Sequence, residues 1–178
     1  MRAAVEVMGE DGYEGASIRD MATRAGVSVA ALYYHFPSKL DLLREFLDEA
    51  YDITLARIER RLAAAGDKPL ARLDVIVSTL IWTNLHDDFA QLASNVALRE
   101  YTRLNAPERA AIEVKRKALL DLVESVVVDI GRSHDPREAA RAIITLSSSL
   151  VEPYADIGRS LDDVTALYQR FARSIARA

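Results

Sequence analysis

The sequence predicts an all-α chain, with a three-helix unit carrying a helix-turn-helix over residues 1–46 and a larger helical region over 47–178. Three observations carry this. Apolar residues recur at three- and four-residue spacing, alternation with period two is missing, and cap chemistry punctuates the chain at helical intervals. With 178 residues, half of them hydrophobic, the chain is long enough for one or two compact helical units.

Taken in order, residues 2–9 form a short apolar-rich segment that Gly9 and Gly12 are expected to stop. Ser17-Ile18-Arg19-Asp20 reads as a capping box, and its helix runs to about Ala25 before Gly26, which tolerates a left-handed turn. Ser28 caps the next helix, with Val27 and Leu32 placed as a hydrophobic staple, and Pro37 ends it. Ser38-Lys39-Leu40-Asp41 opens a long helix to about Ala65, followed by a Gly66-Asp67-Lys68-Pro69 linker. Further helices are expected over 70–86, 88–104, 106–130, 136–152 and 161–177. Their cap chemistry comes from Asn105 with Glu108, Asp135 with Pro136 and Glu138, and Ser160 with Asp163.

Composition excludes several classes. With no cysteine there is no disulfide framework, thiolate metal site or cysteine nucleophile, which fits a reducing cytoplasm. The uncharged stretches Val75–Leu85, Phe89–Leu98 and Ala142–Val151 fall far short of the roughly 18 residues of a membrane span. Nothing at the N-terminus reads as an export signal. A cytoplasmic protein with no membrane partner is expected. The net charge of −4 offers a nucleic acid little, and residues 1–47 hold five basic side chains against seven acidic ones. Between Ala16 and Leu40, however, Arg19, Arg24 and Lys39 face only Asp20, so a local positive surface is compatible with an acidic chain.

Residues 17–36 have the layout of a helix-turn-helix: about eight helical residues, a short turn with glycine, and a second short helix. Ile18, Met21, Ala22, Val27, Leu32 and Phe36 are the inward set. Val29, Ala30, Tyr33 and Tyr34 then project on adjoining faces. A major groove would account for them, with Val29 or Ala30 against thymine methyls and Tyr33, Tyr34 and His35 reaching phosphates. Lys39 sits beside a helix N-terminus that attracts anions. The alternative is tyrosines packed sideways on neighbouring helices and a surface His35.

The run Gly12-Tyr13, Ala16-Ser17-Ile18-Arg19-Asp20-Met21-Ala22, Ala25-Gly26-Val27-Ser28 and Leu32-Tyr33-Tyr34-His35-Phe36-Pro37-Ser38-Lys39-Leu40-Asp41-Leu42-Leu43 resembles the TetR family signature. The resemblance implies a three-helix DNA-binding domain, a connecting fourth helix, and a C-terminal helical ligand-binding and dimerisation domain. Position by position it makes Ser17, Tyr34 and Lys39 phosphate contacts, and Ser28, Val29, Ala30 and Tyr33 the groove-facing set. Position 29, often basic or polar in the family, is valine here. The chain also opens almost inside the first helix, without the basic arm many relatives carry, so a longer native start is one reading of Met1.

Residues 47–178 carry no nucleophile–base or metal constellation, so neither an enzyme nor a cofactor is expected. His86-Asp87-Asp88 reads as a helix-end polar cluster, because adjacent residues on a helix point in different directions, and no metal site is expected. A pocket for a small, largely apolar effector is expected instead. Its candidates are Trp82 and His86 on one helix, Phe89, Leu92, Asn95, Val96 and Arg99 on the next, and Arg116, Leu119 and Val123 on the stripe Ile112, Arg116, Leu119, Val123, Val126, Ile130. Arg116 and Arg99 have two readings, an ion pair with Glu100 or a partner for an anionic effector group. The stretch Asn95–Arg116, with Arg99-Glu100-Tyr101 and Leu104, is similar to TetR regulators of lipid and steroid degradation, which implies an acyl-CoA thioester.

Two apolar faces, Ala142, Ile143, Leu146 and Leu150 beside Ser147-Ser148-Ser149, and Leu161, Val164, Leu167, Tyr168, Phe171 and Ile175, suit either a homodimeric four-helix bundle or intramolecular packing. The resemblance favours the homodimer, and a repressor on a double-stranded operator whose half-sites lie about 34–36 Å apart. The effector would act through the long helix 38–65. A helical enzyme and a protein-interaction module using Tyr33, Tyr34 and Phe36 are the competing classes.

Overall fold

The computed structural model describes residues 1–100, 105–149 and 160–178. Among these, every regular element is a helix: α1 (Arg2–Gly15), α2 (Ile18–Ala25), α3 (Val29–His35), α4 (Lys39–Leu62), α5 (Pro69–His86), α6 (Asp88–Glu100), α7 (Ala106–Ile130), α8 (Pro136–Ser148) and α9 (Leu161–Ile175). They form two compact units, Met1–Asp52 with Phe89–Lys115, and Ile53–Asp88 with Arg116–Ala178.

The first unit packs α1, α2, α3, the start of α4 and α6 around Met8, Met21, Leu42, Leu43 and Phe46. The Phe46 and Phe89 rings meet at 4.4 Å between centroids, and Ala93 and Val96 close the core from α6. Gly9 does not stop α1. The helix runs on to Gly15, with its break at Gly12, where φ is +77°. Glycine at position 9 has a different cause, since a Cβ there would lie 3.1 Å from Leu92 Cδ1, tighter than ordinary packing. The residue lets α6 approach α1 closely.

Further along α4, Asp48 is half-buried with its Oδ1 lacking a hydrogen-bond partner. Burial pushes its carboxyl above the usual aspartate range, while Lys115 and Arg44 pull it down and Asp52 and Glu45 raise it. Lys115 Nζ is committed to Asp52 Oδ1 at 2.6 Å.

The second unit sets α5 against α8 and α9. Leu73, Ile76, Val77 and Ile81 of α5, Val123 and Val127 of α7, Ile143 of α8 and Val164 of α9 are buried. Asp74 ties α5 to α9, accepting from Arg173 Nε at 2.8 Å, while the Asp74 carbonyl accepts from Gln169 Nε2 at 3.0 Å. Local caps hold the helix starts: Asp135 accepts from the Glu138 N–H at 3.0 Å, and Ser160 and Asp163 form a reciprocal box. The caps expected from Glu108, and the helix ends expected at 104 and 152, lie outside the described residues. None of the described helices is long and apolar enough to cross a membrane.

Candidate nucleic-acid interface

The helix-turn-helix is fixed by two serine caps and one glycine. Ser17 Oγ accepts from the Asp20 N–H at 3.1 Å, and the Ser17 hydroxyl donates to the Asp20 carboxylate. At the other end of α2, Gly26 sits at φ +67°, its N–H on Thr23 O at 3.1 Å and the Val27 N–H on Ala22 O at 3.0 Å. That double closure needs the left-handed residue that glycine supplies without steric cost. Ser28 Oγ then accepts from the Ala31 N–H at 3.0 Å and starts α3. The turn throws Val27 outward. At 44% exposure it is not part of the inward set, and it leaves Leu32 to anchor the helix.

α3 presents nearly all of itself to solvent. Only Leu32, 5% exposed, is buried. Val29 (38%), Tyr33 (49%) and Tyr34 (84%) are exposed, as are Ala30 and His35. Tyr34 is therefore not packed sideways on another helix, and about half of Tyr33 is open. His35 stands edge-on to Tyr34, ring centroids 5.3 Å apart.

The cations near this helix are less free than a count of charges suggests. Arg24 forks onto Glu10 at 2.9 and 2.8 Å, which holds the Glu10 carboxyl below its usual range. Lys39 Nζ donates to the Glu14 and Ala16 carbonyls at 3.3 and 3.2 Å and lies 4.6 Å from the Tyr13 ring centroid. Ammonium carries three N–H donors, so one remains for a phosphate. Arg19 and Ser17 are exposed at the leading turn of α2.

The residues expected at an effector site divide between the units. Phe89, Leu92, Asn95 and Val96 lie on α6 in the first, where Leu92, Asn95 and Val96 line a cleft of about 200 Å³ with Glu6, Gly9 and Glu10 of α1. That is below the size of ordinary small-molecule sites, about 300–1,000 Å³. Trp82, His86, Arg116, Leu119 and Val123 belong to the second unit, with Leu119 and Val123 buried and Arg116 half-buried. The side chains of Arg99, Glu100 and Ile112, and all of Tyr101, Leu104 and Leu150, lie outside the described residues.

Trp82 is half-exposed and stacked on His86 at 5.0 Å, and His86 Nδ1 lies 3.0 Å from the Trp82 carbonyl, a bond that requires the ring nitrogen to donate. Arg57, which nothing in the sequence links to this helix, sits 5.3 Å from the Trp82 ring centroid and pairs with Asp87 at 2.6 Å. His86 and Asp87 thus have structural partners as a helix-end cluster.

A glycine-closed turn that sets out a short helix anchored by one leucine defines a helix-turn-helix protein. Residues 1–46 match the model for bacterial regulatory proteins of the tetR family. The transcriptional regulator CymR of Pseudomonas putida is 34% identical over 140 residues, covering 76% of this chain and 67% of CymR. The chain belongs to the tetR family of bacterial regulatory proteins. The transcriptional repressor KstR of Mycobacterium tuberculosis is 28% identical over 141 residues, 79% of this chain and 62% of KstR. The chain spans less than two thirds of the length of several curated relatives it matches, KstR among them. Two solved structures share the fold. FadR from Bacillus subtilis in complex with stearoyl-CoA has a TM-score of 0.77 at 22% identity, covering 98% of this chain and 95% of FadR. AibR in complex with isovaleryl coenzyme A and operator DNA has 0.73 at 21% identity, covering 98% and 92%.

Proposed function

We propose that this chain is a ligand-responsive transcriptional regulator that binds an operator as a homodimer and is released from it by a small, largely apolar effector. The observation that carries the proposal is α3 itself, a helix with one buried side chain and an exposed valine and two exposed tyrosines. Large apolar side chains are left in water at a cost unless a surface covers them, and a major groove has the width for a helix. Val29, Ala30 and Tyr33, with Ser28, face the groove in this reading. Tyr34, His35, the remaining donor of Lys39 and Ser17, once its hydroxyl turns from Asp20, take phosphates.

The sign of regulation, repression, follows KstR. The effector class, acyl-CoA thioesters, follows the ligands bound by FadR and AibR. Trp82, His86, Phe89, Leu92, Asn95, Val96, Arg99, Arg116, Leu119 and Val123 remain the effector-binding set of the proposal. The buried Leu119 and Val123 would meet a ligand only when α7 parts from its neighbours. Dimerisation is assigned to α8 and α9, where Phe171 is exposed and its ring lies 6.2 Å from Tyr168. A chain acting on chromosomal DNA works in the cytoplasm.

Selection of bound sequences from random duplex DNA, followed by titration at two salt concentrations, tests the reading. An enriched inverted repeat, bound more weakly at higher salt and released by isovaleryl- or stearoyl-CoA, is the expected result. Absence of any enriched sequence would sink it. An inverted repeat that neither thioester releases would keep the regulator and reject the effector class.

A further inference from the structure

We propose that α3 reads its operator through methyl groups: Val29, with Ala30 beside it, recognises the C5-methyl of thymine, and no side chain of the leading turn checks the hydrogen-bonding edge of that base. The proposal rests on the regulator reading above.

The helix runs Val29-Ala30-Ala31-Leu32-Tyr33-Tyr34-His35 and contains no arginine, lysine, asparagine, glutamine or carboxylate. Bidentate reading of guanine needs a guanidinium or ammonium group, and that of adenine needs a side-chain amide. Neither is present on α3. Of the cations on adjoining helices, Arg24 is forked onto Glu10, Lys39 turns back onto the carbonyls of Glu14 and Ala16, and the exposed Arg19 belongs to the leading turn of α2 rather than of α3. Ser28 accepts from the Ala31 N–H, and a hydroxyl that both donates and accepts does not tell one base edge from another. Recognition helices contact base edges with their N-terminal residues, and in α3 those are Val29, Ala30 and Ala31, all exposed. Their side chains offer only C–H surface.

Tyr33, four residues after Val29, shares its face and supplies one hydroxyl. A phenol both donates and accepts, so it pairs as readily with a carbonyl oxygen as with an amino group. It does not tell thymine O4 from cytosine N4. His35 lies in the last turn, against Tyr34. What distinguishes one pyrimidine from another at the leading turn is therefore the presence of a methyl group. Thymine and 5-methylcytosine both carry it, although their hydrogen-bonding edges have opposite polarity. Uracil and cytosine both lack it.

The test takes the operator enriched in the selection and replaces each thymine of a half-site, with its partner base, by uracil, 5-methylcytosine or cytosine. Methyl reading ranks thymine and 5-methylcytosine together, above uracil and cytosine. Loss of one buried methyl should weaken binding about fourfold, and loss in both half-sites about fifteenfold. Hydrogen-bonded reading ranks thymine with uracil, above both cytosines, and that order would overturn the proposal while leaving the regulator intact. The exposed Val29 can be changed without disturbing the core, and Val29→Ala should bind thymine and uracil operators nearly alike. An unchanged thymine-to-uracil ratio in Val29→Ala would overturn its assignment. If no duplex is enriched at all, the regulator reading fails and this one with it.

Discussion

The Lys39 ammonium closes the end of α1, donating to the carbonyls of Glu14 and Ala16 at 3.3 and 3.2 Å while resting 4.6 Å from the centroid of the buried Tyr13 ring. A residue proposed to meet phosphate is thus also part of the joint between α1 and α2. Lys39→Ala should lower the thermal midpoint as well as DNA affinity. The loss of a cation–π contact and two carbonyl contacts amounts to about 1–2 kcal/mol. Calorimetry beside DNA titration separates the two effects. A Tm unchanged from the parent would show that these contacts add nothing to the fold.

Tyr34 isolates the other half of that pair of roles. It is 84% exposed and supports no core, so Tyr34→Ala should leave stability within about 0.5 kcal/mol of the parent. Binding should weaken by a similar factor on the enriched operator and on unrelated duplex, as loss of a backbone contact does. Selective loss on the operator alone would reassign Tyr34 to base reading.

Two carboxyls should give stability opposite pH dependences. Arg24 holds Glu10 below its usual range, so its contribution is present at neutral pH and is lost as the solution is acidified through the carboxylate range. Glu10→Gln should destabilise at pH 7, and the difference should close on acidification. Burial raises Asp48, and a raised carboxyl favours the folded state only at low pH, before it ionises. Asp48→Asn should therefore be more stable than the parent at pH 7, with the advantage gone by about pH 4. Denaturant midpoints across this range check both signs. A destabilised Asp48→Asn at pH 7 would mean that attraction to Lys115 and Arg44 outweighs burial.

Asp87 holds Arg57 at 2.6 Å, and Arg57 Nη1 is already buried without a partner. Asp87→Asn should cost about 1–3 kcal/mol, because it leaves a largely buried guanidinium without its counter-charge. Trp82, the one tryptophan of the chain, lies against Arg57, and its emission should report the change. Urea unfolding followed at Trp82 gives both numbers. An unshifted midpoint would show the pair to be energetically neutral.

The parts of the fold legible in the sequence are those that short-range chemistry decides. Ser17, Ser28 and Ser160 each accept from an N–H three residues on, and Gly26 adopts the left-handed turn its position demands. The exposure of Val29, Tyr33 and Tyr34 follows from a helix with only Leu32 on its inner face. What escaped was set by partners distant along the chain. Gly9 reads as a stop until Leu92 is seen against it. Arg24 and Lys39 count as free cations until Glu10 and the end of α1 claim them. Arg57 lies over Trp82 with no spacing in the sequence to announce it.

The first compact unit is not written continuously in the chain: Met1–Asp52 is completed by Phe89–Lys115, and Ala93 and Val96 of α6 are buried with Met8 and Met21. The family-matching stretch 1–46 is therefore no detachable cassette. A chimera that grafts it onto another member's remainder imports a donor's α1 against a recipient's α6, and Gly9 must then accept whatever side chain arrives where Leu92 stood. Exchange of DNA-reading heads between relatives should succeed only when the two segments travel together.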